Sequence, residues 1–161
     1  FLFAAALVVI TFIDLDHRLI LDKTLIWLAA AGIAFNLLLA AGAYGPASLS
    51  LFPAGLLALL GGGLLGGGLM LAIAIVSRGG MGGGDVKFAA ALGLWFGWQQ
   101  TLLTLFLTFI IAGVSGAALL ALKLKSRKDF IPFGPFIAVG ALITLFYGPR
   151  IIAWYIKHLA P

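Results

Sequence analysis

Two short acidic motifs in this chain are candidates for acid–base chemistry, and each lies beside a strongly apolar segment. The first runs from Gly80 to Lys87 (Gly-Met-Gly-Gly-Gly-Asp-Val-Lys) and places one carboxylate, Asp85, after a glycine-rich stretch. The second runs from Asp14 to Arg18 (Asp-Leu-Asp-His-Arg) and follows the apolar residues 1–13. A carboxylate at a membrane boundary is costly to bury and is therefore a candidate functional group. Two carboxylates that face each other can share a proton, and an aspartic protease requires at least such a pair.

The composition is that of a polytopic membrane protein. The 161 residues have a mean hydropathy of +1.21, and 63% of them are hydrophobic while 9% are charged; a soluble domain carries about 25% charged residues. All five acidic residues are aspartates, so each of these few carboxylates needs an explanation. The net charge of +5 does not indicate nucleic acid as a partner. The basic residues lie in short loops beside apolar segments, where they set orientation in the lipid bilayer.

Apolar runs of about 20 residues predict membrane-spanning helices. The candidate segments are Phe1–Ile13, Thr24–Tyr44, Leu51–Val76, Val86–Trp98, Thr101–Leu122 and Pro135–His158, the last interrupted at Gly148-Pro149. We therefore predict an all-α membrane helix bundle of about six transmembrane helices, which forms a single domain over residues 1–161. Because the chain begins at Phe1 rather than Met, we expect it to be an N-terminally truncated fragment.

Charged and uncharged loops alternate along the chain, as an up-and-down bundle requires. The loops 14–23, 77–87 and 123–129 carry charge, whereas the loop 45–50 and the polar turn 99–100 do not. By the positive-inside rule, the charged loops face the cytoplasm. Asp14 and Asp85 are therefore predicted to lie at the same face of the membrane, where they can meet.

Three of the five aspartates also have a structural explanation. Asp85 directly precedes an apolar run and could cap a helix N-terminus, but the glycines before it favour the close approach of a substrate backbone. Asp22 is best explained as the cap of the second helix, and Asp129 as a solvated partner of the basic residues around it. Physical reasoning leaves the choice between Asp14 and Asp16 open, although Asp14 lies deeper.

The third apolar segment contains two Gly-x-x-x-Gly pairs, Gly62/Gly66 and Gly63/Gly67. Such pairs let helix backbones approach closely in lipid, so we expect a packing seam there. Bending of this helix around a substrate is the lesser alternative. Lys87 also has two interpretations: its ammonium group extends to the membrane interface, or it binds an acidic group of a substrate.

Three segments together closely resemble the type IV prepilin peptidases, bacterial leader peptidases of the Gly-x-Gly-Asp group of membrane aspartic proteases. Residues 13–22 (Ile-Asp-Leu-Asp-His-Arg-Leu-Ile-Leu-Asp) resemble the first catalytic motif of this family, and residues 80–87 resemble the second. Residues 131–136 (Ile-Pro-Phe-Gly-Pro-Phe) resemble the loop before the last helix. A lone Gly-x-Gly-Asp is a weak signal, but the three segments in this order are specific.

The resemblance implies that Asp14 and Asp85 are the catalytic pair, which settles the choice that physical reasoning left open. The predicted substrate-binding residues are Gly82, Gly83, Gly84 and Lys87. No metal site is predicted. The chain departs from the family pattern at Leu21, where many relatives have proline, and this departure affects only the conformation of that loop.

Proteolysis by such a pair requires no cofactor. Many members of the family also methylate the newly exposed N-terminus with S-adenosylmethionine, an activity associated with an N-terminal region of paired cysteines that often bind zinc. The chain contains no cysteine. S-adenosylmethionine and zinc are therefore expected only in a bifunctional full-length form.

The resemblance further implies a prepilin or pseudopilin substrate, whose basic leader is cut off after a glycine at the cytoplasmic boundary of the bacterial inner membrane. An ion or solute transporter is the alternative, because acidic residues and broken helices also occur there, but no acid lies in the middle of a predicted helix. A non-catalytic assembly subunit that packs through its glycines is a third interpretation. It leaves the positions of two of the five acids unexplained.

Overall fold

The computed structural model describes residues 1–40, 56–77, 80–124 and 131–158, and the regular structure of these residues is entirely helical. The helices are α1 Leu2–His17, α2 Asp22–Ala40, α3 Leu56–Val76, α4 Gly83–Ala121 and α5 Gly134–His158. The all-α prediction is confirmed. The predicted end of the second helix at Tyr44, the predicted start of the third at Leu51 and the aspartate at position 129 lie outside the described residues.

Four of these helices, α2 to α5, are long and apolar enough to cross a membrane. Large apolar side chains such as Leu57, Val76 and Phe106 are exposed on them, which suits contact with lipid, whereas α1 has 16 residues, fewer than the about 20 of a full span. The chain is therefore a multi-pass membrane protein. The predicted count of about six transmembrane helices is not confirmed: the described residues form five helical elements, of which four are long and apolar enough to cross a membrane.

The predicted fourth and fifth helices form the single element α4, which is interrupted by non-helical backbone at Gly97. This residue has a φ of 70° and a ψ of 179°, a conformation that glycine adopts without steric cost. The sequence placed a polar turn slightly later, at Gln99 and Gln100. Both glutamines instead belong to the helical part of α4, and Gln100 is buried.

The break at Gly97 folds the two halves of α4 back against each other. A methyl group on Gly66 of α3 would lie 2.5 Å from the carbonyl oxygen of Ala89 and 3.0 Å from Cγ2 of Thr101. In a straight helix, about 18 Å would separate Ala89 from Thr101 along the axis. The chain therefore reverses its direction between these two residues, and α3 packs against both halves.

The predicted glycine seam joins α3 to α4. A methyl group on Gly62 would collide with the backbone of Gly93 and Gly97, whereas methyl groups on Gly61 and Gly68 would meet open space. The seam therefore uses one face of α3, as the Gly-x-x-x-Gly spacing predicts. It holds α3 close to α4 at Gly93 and Gly97, where α4 reverses its direction.

Hydrogen bonds between helices fix α2 and α5 on the two halves of α4. The Trp95 indole N–H donates to the carbonyl oxygen of Leu28 at 2.7 Å, which ties the first half of α4 to α2. The Thr104 hydroxyl donates to Thr144 Oγ1 at 3.0 Å, which ties the second half to α5. The predicted interruption of the last helix is wrong, because α5 remains helical through Pro149.

Candidate active site

Asp14 lies in the last turn of α1 and is 5% exposed, whereas Asp16 is exposed. The helix ends just beyond it, because Arg18 adopts the left-handed conformation and donates its backbone N–H to the carbonyl oxygen of Asp14 at 2.9 Å. The side chain of Asp14 thus points into the protein at the end of a helix. The structure separates the two aspartates by burial, which the sequence alone did not do.

The carboxylate of Asp14 meets the beginning of α5. The backbone N–H of Gly134, the first residue of α5, donates to Asp14 Oδ2 at 3.0 Å. Burial raises the pKa of Asp14 above its ordinary value of 3.8, and the hydrogen bond from Gly134 opposes part of that rise by stabilising the ionised form. Asp14 is therefore both desolvated and held in place by a backbone amide.

Asp85 lies in the first turn of α4 and is 7% exposed. The sequence predicted that it precedes the helix as an N-cap, but α4 begins at Gly83 and its N-cap is Gly82. The side chain of Asp85 bends back so that Oδ2 accepts the backbone N–H of Gly82 at 3.2 Å. This bond is one half of a capping box, and it leaves Oδ1 without any role in the cap.

The two carboxylates share one cavity. This cavity has a volume of about 230 Å³. The residues that line it are Asp14, Arg18, Leu19, Ile20, Gly84, Asp85 and Phe133. Three separate parts of the chain therefore meet there: the end of α1 with the connection to α2, the start of α4, and the loop before α5. The predicted meeting of Asp14 and Asp85 at one end of the bundle agrees with this geometry.

The three glycines assigned to substrate binding have different surroundings. Gly82 donates to Asp85, and a methyl group on Gly83 would meet open space. A methyl group on Gly84 would lie 3.0 Å from Cβ of Ile20, so the absence of a side chain at Gly84 lets the α1–α2 connection lie directly on α4. Their binding of substrate stays a prediction.

Lys87 lies apart from this cavity. Its ammonium group pairs with the carboxylate of Asp22 at 2.7 Å, and both side chains are more than half exposed. Asp22 is the first residue of α2, and the amides of Thr24 and Leu25 bond to the carbonyl oxygen of Leu21. The residue before the first turn of α2 is therefore Leu21, and not Asp22 as predicted. Asp22 instead links α2 to α4 through its ion pair with Lys87. A contact of Lys87 with substrate stays a prediction.

A bound metal ion needs several ligating side chains close together. Within residues 1–40, 56–77, 80–124 and 131–158, no three side chains of histidine, cysteine, aspartate or glutamate cluster closely enough to hold a metal ion. The cavity is lined by the carboxyl groups of Asp14 and Asp85. Two carboxyl groups in one small cavity cannot both ionise cheaply. A pair that shares one proton can activate water and protonate a leaving group.

Sequence reasoning did not assign several residues to the site, and Gly134 and Ile20 are the two with the closest contacts to its named residues. Gly134 positions Asp14, and Ile20 packs on Gly84 and lines the cavity. For Gly134 a signal existed, since it lies between two prolines in the Pro-Phe-Gly-Pro segment 132–135. For Ile20 there was none, because an isoleucine after a helix end carries no chemical signature.

Comparisons with known proteins agree with the geometry. The sequence model of the type IV leader peptidase family matches residues 1–117. A prepilin leader peptidase/N-methyltransferase of Aeromonas salmonicida is 36% identical over 95% of the chain and 50% of its own length. Proteins of the same name from Legionella pneumophila and Bacillus subtilis are 35% and 32% identical over 94% and 96% of the chain, and over 50% and 58% of their own lengths.

The chain spans about half the length of the curated relatives it matches. No solved structure matches it significantly. The transporter alternative receives no support from these comparisons, because each of the relatives named above is a peptidase by name.

Proposed function

Because the chain belongs to the type IV leader peptidase family, we propose that it is an aspartic endopeptidase that removes the basic leader of type IV prepilins or pseudopilins. The observation that supports this proposal best is the shared cavity of Asp14 and Asp85. The two residues come from different helices and are both buried among apolar neighbours. A structural cap or a surface charge needs no such meeting.

Asp14 and Asp85 carry out the reaction as a pair. The ionised carboxyl group takes a proton from a water molecule, and the water oxygen adds to the scissile carbonyl carbon. The protonated carboxyl group donates a hydrogen bond to the carbonyl oxygen, which stabilises the charge that develops on it. The carbon–nitrogen bond then breaks, a carboxyl group transfers a proton to the leaving amine, and one water molecule has been added across the peptide bond.

The pair titrates as a unit, so neither residue is assigned permanently as acid or base. The hydrogen bond from Gly134 stabilises a negative charge on Asp14, and the bond from Gly82 does the same for Asp85. Each carboxylate thus has one oxygen held by a backbone amide. The remaining oxygens are the ones that can face water and the substrate carbonyl.

The reaction takes place at the cytoplasmic face of the bacterial inner membrane. The support for this location is the charge of the loops, which places Lys87 and Lys123 on the same side as Asp14. A prepilin leader is basic and stays in the cytoplasm, while the following hydrophobic segment enters the bilayer. The bond to be cut, after a glycine, then lies at the level of Asp14 and Asp85.

The proposal assigns only peptide-bond cleavage to these residues. The relatives are named N-methyltransferases as well as leader peptidases. Methyl transfer with S-adenosylmethionine, and any zinc-binding cysteines, would belong to a bifunctional full-length form. Peptide cleavage itself uses the two carboxyl groups and water.

The test is the incubation of the purified protein in detergent with a prepilin that carries its leader, followed by mass spectrometry of the product. We expect a single product shortened by the leader, and no shortening with the Asp85→Asn variant. Cleavage by Asp85→Asn at the parent rate would refute the assignment of Asp85. A folded parent protein that leaves the prepilin intact would refute the proposed function.

A further inference from the structure

The connection between α1 and α2, residues 18–21, lies across the first turn of α4. At one end the backbone of Arg18 closes α1, and at the other end Asp22 pairs with Lys87 of α4. Between these points Ile20 is 9% exposed, and its Cβ lies 3.0 Å from the place where a side chain on Gly84 would begin. The connection is thus fixed on both sides of Ile20.

Ile20 forms an apolar wall of the cavity that holds both aspartates. The same cavity is lined by Asp14 at the end of α1, by Gly84 and Asp85 at the start of α4, and by Phe133. Gly84 contributes no side chain, so the room beside Asp85 is set by Ile20. Phe133 contacts two further aromatic rings, those of Phe109 and Phe136, and is thereby held in place.

We propose that Ile20 is a specificity-determining residue, which limits the size of the substrate residue that precedes the cut. This inference rests on the proposed function. The scissile carbonyl has to lie between Asp14 and Asp85, and the Cα of the residue that owns this carbonyl is one bond away. Its side chain therefore enters the cavity that both aspartates line, on the side where the branched side chain of Ile20 packs over Gly84 and takes up the space.

The experiment compares two prepilins that differ only in the residue before the cut, one with glycine and one with alanine. The rates of leader removal are measured with the unsubstituted protein and with its Ile20→Val and Ile20→Ala variants. One methylene group in a hydrophobic pocket changes discrimination by about tenfold or more. We therefore expect the ratio of kcat/KM for alanine over glycine to rise stepwise, by about tenfold or more in Ile20→Ala.

Leu21→Ala is the matched control, because Leu21 belongs to the same connection but is exposed and does not line the cavity. It should leave the ratio unchanged. Ile20→Val removes the equivalent of a single methyl group, so the ratio can still be measured with this variant if Ile20→Ala folds poorly.

The ratio distinguishes a role in specificity from a role in folding. A purely structural Ile20 would lower the rates for both prepilins by the same factor, and an unchanged ratio in Ile20→Val and Ile20→Ala would overturn the inference. Failure of the unsubstituted protein to cut the glycine prepilin would instead refute the proposed function, and the inference with it.

Discussion

The backbone N–H of Gly134 donates to Oδ2 of Asp14 at 3.0 Å, across 120 residues of sequence. The two residues are packed so closely that a methyl group on Gly134 would lie 2.5 Å from the same carboxylate oxygen and 3.1 Å from its carbon. A side chain at position 134 and the present position of Asp14 therefore exclude each other. The start of α5 thus sets where the carboxylate of Asp14 can lie.

Substitution Gly134→Ala should displace Asp14 and reduce prepilin cleavage. A misplacement of about 1 Å in a catalytic group can lower the rate by about 100-fold, and we expect a loss of that order in kcat, measured by the rate of leader release. Gly113→Ala is the matched control, because a methyl group there would meet open space. Equal rates for the two variants would contradict a positioning role of Gly134.

Asparagine at position 14 should abolish cleavage, whereas asparagine at position 16 should not. Asp14 is buried in the cavity, and Asp16 is exposed two residues away. The same isosteric change can therefore be compared between a residue of the site and a residue of the surface. The amide cannot take a proton from water, and the rate should fall by about 100-fold to 10,000-fold. The product mass is the readout for both variants, and cleavage by Asp14→Asn would remove Asp14 from the catalytic pair.

The stability of the protein should depend on pH through Asp14. Because burial raises its pKa above 3.8, the folded state binds this proton more tightly than the unfolded state does. The contribution of Asp14 is therefore fully present below about pH 3.8 and is lost as the pH rises through the raised pKa. Thermal unfolding in detergent should show a larger fall in the parent than in Asp14→Asn, which keeps only the carboxyl group of Asp85 in the cavity. Parallel curves for the two proteins would contradict the prediction.

The glycine seam should tolerate a methyl group on one face of α3 and not on the other. Gly66→Ala meets the carbonyl oxygen of Ala89 at 2.5 Å, and such overpacking costs about 1–3 kcal/mol. Gly68→Ala meets open space and should stabilise the helix by about 0.5–1 kcal/mol. The unfolding midpoints of the two variants should move in opposite directions. Shifts of the same sign would mean that the seam does not limit the approach of the helices.

The ion pair between Lys87 and Asp22 allows the predicted substrate contact of Lys87 to be isolated. Both side chains are more than half exposed, so the pair itself contributes less than about 1 kcal/mol to stability. If Lys87 binds substrate, Lys87→Gln should raise KM even in an Asp22→Asn background, where the ion pair is already absent. An unchanged KM in that background would show that Lys87 does not bind substrate and only links α4 to α2.

Several features were predictable from the sequence because they depend on local properties. The apolar runs predicted membrane helices, and the glycine spacing predicted the face on which α3 packs. The charge of the loops predicted that Asp14 and Asp85 lie at one end of the bundle. The errors concern helix ends: α4 begins at Gly83, and its break lies at Gly97. Helix ends depend on a few backbone angles and hydrogen bonds, which apolar patterns do not encode.

The sequence by itself therefore determined the class of the protein, the motif that contains Asp85 and the membrane face at which its chemistry was expected. Only the tertiary structure decided that Asp14 rather than Asp16 is buried, that Gly134 holds it, and that Lys87 turns toward Asp22. Hydropathy and loop charge act residue by residue along the chain. Asp14 and Gly134 are 120 positions apart, and Asp22 and Lys87 are 65 positions apart; such pairs become neighbours only when the helices pack.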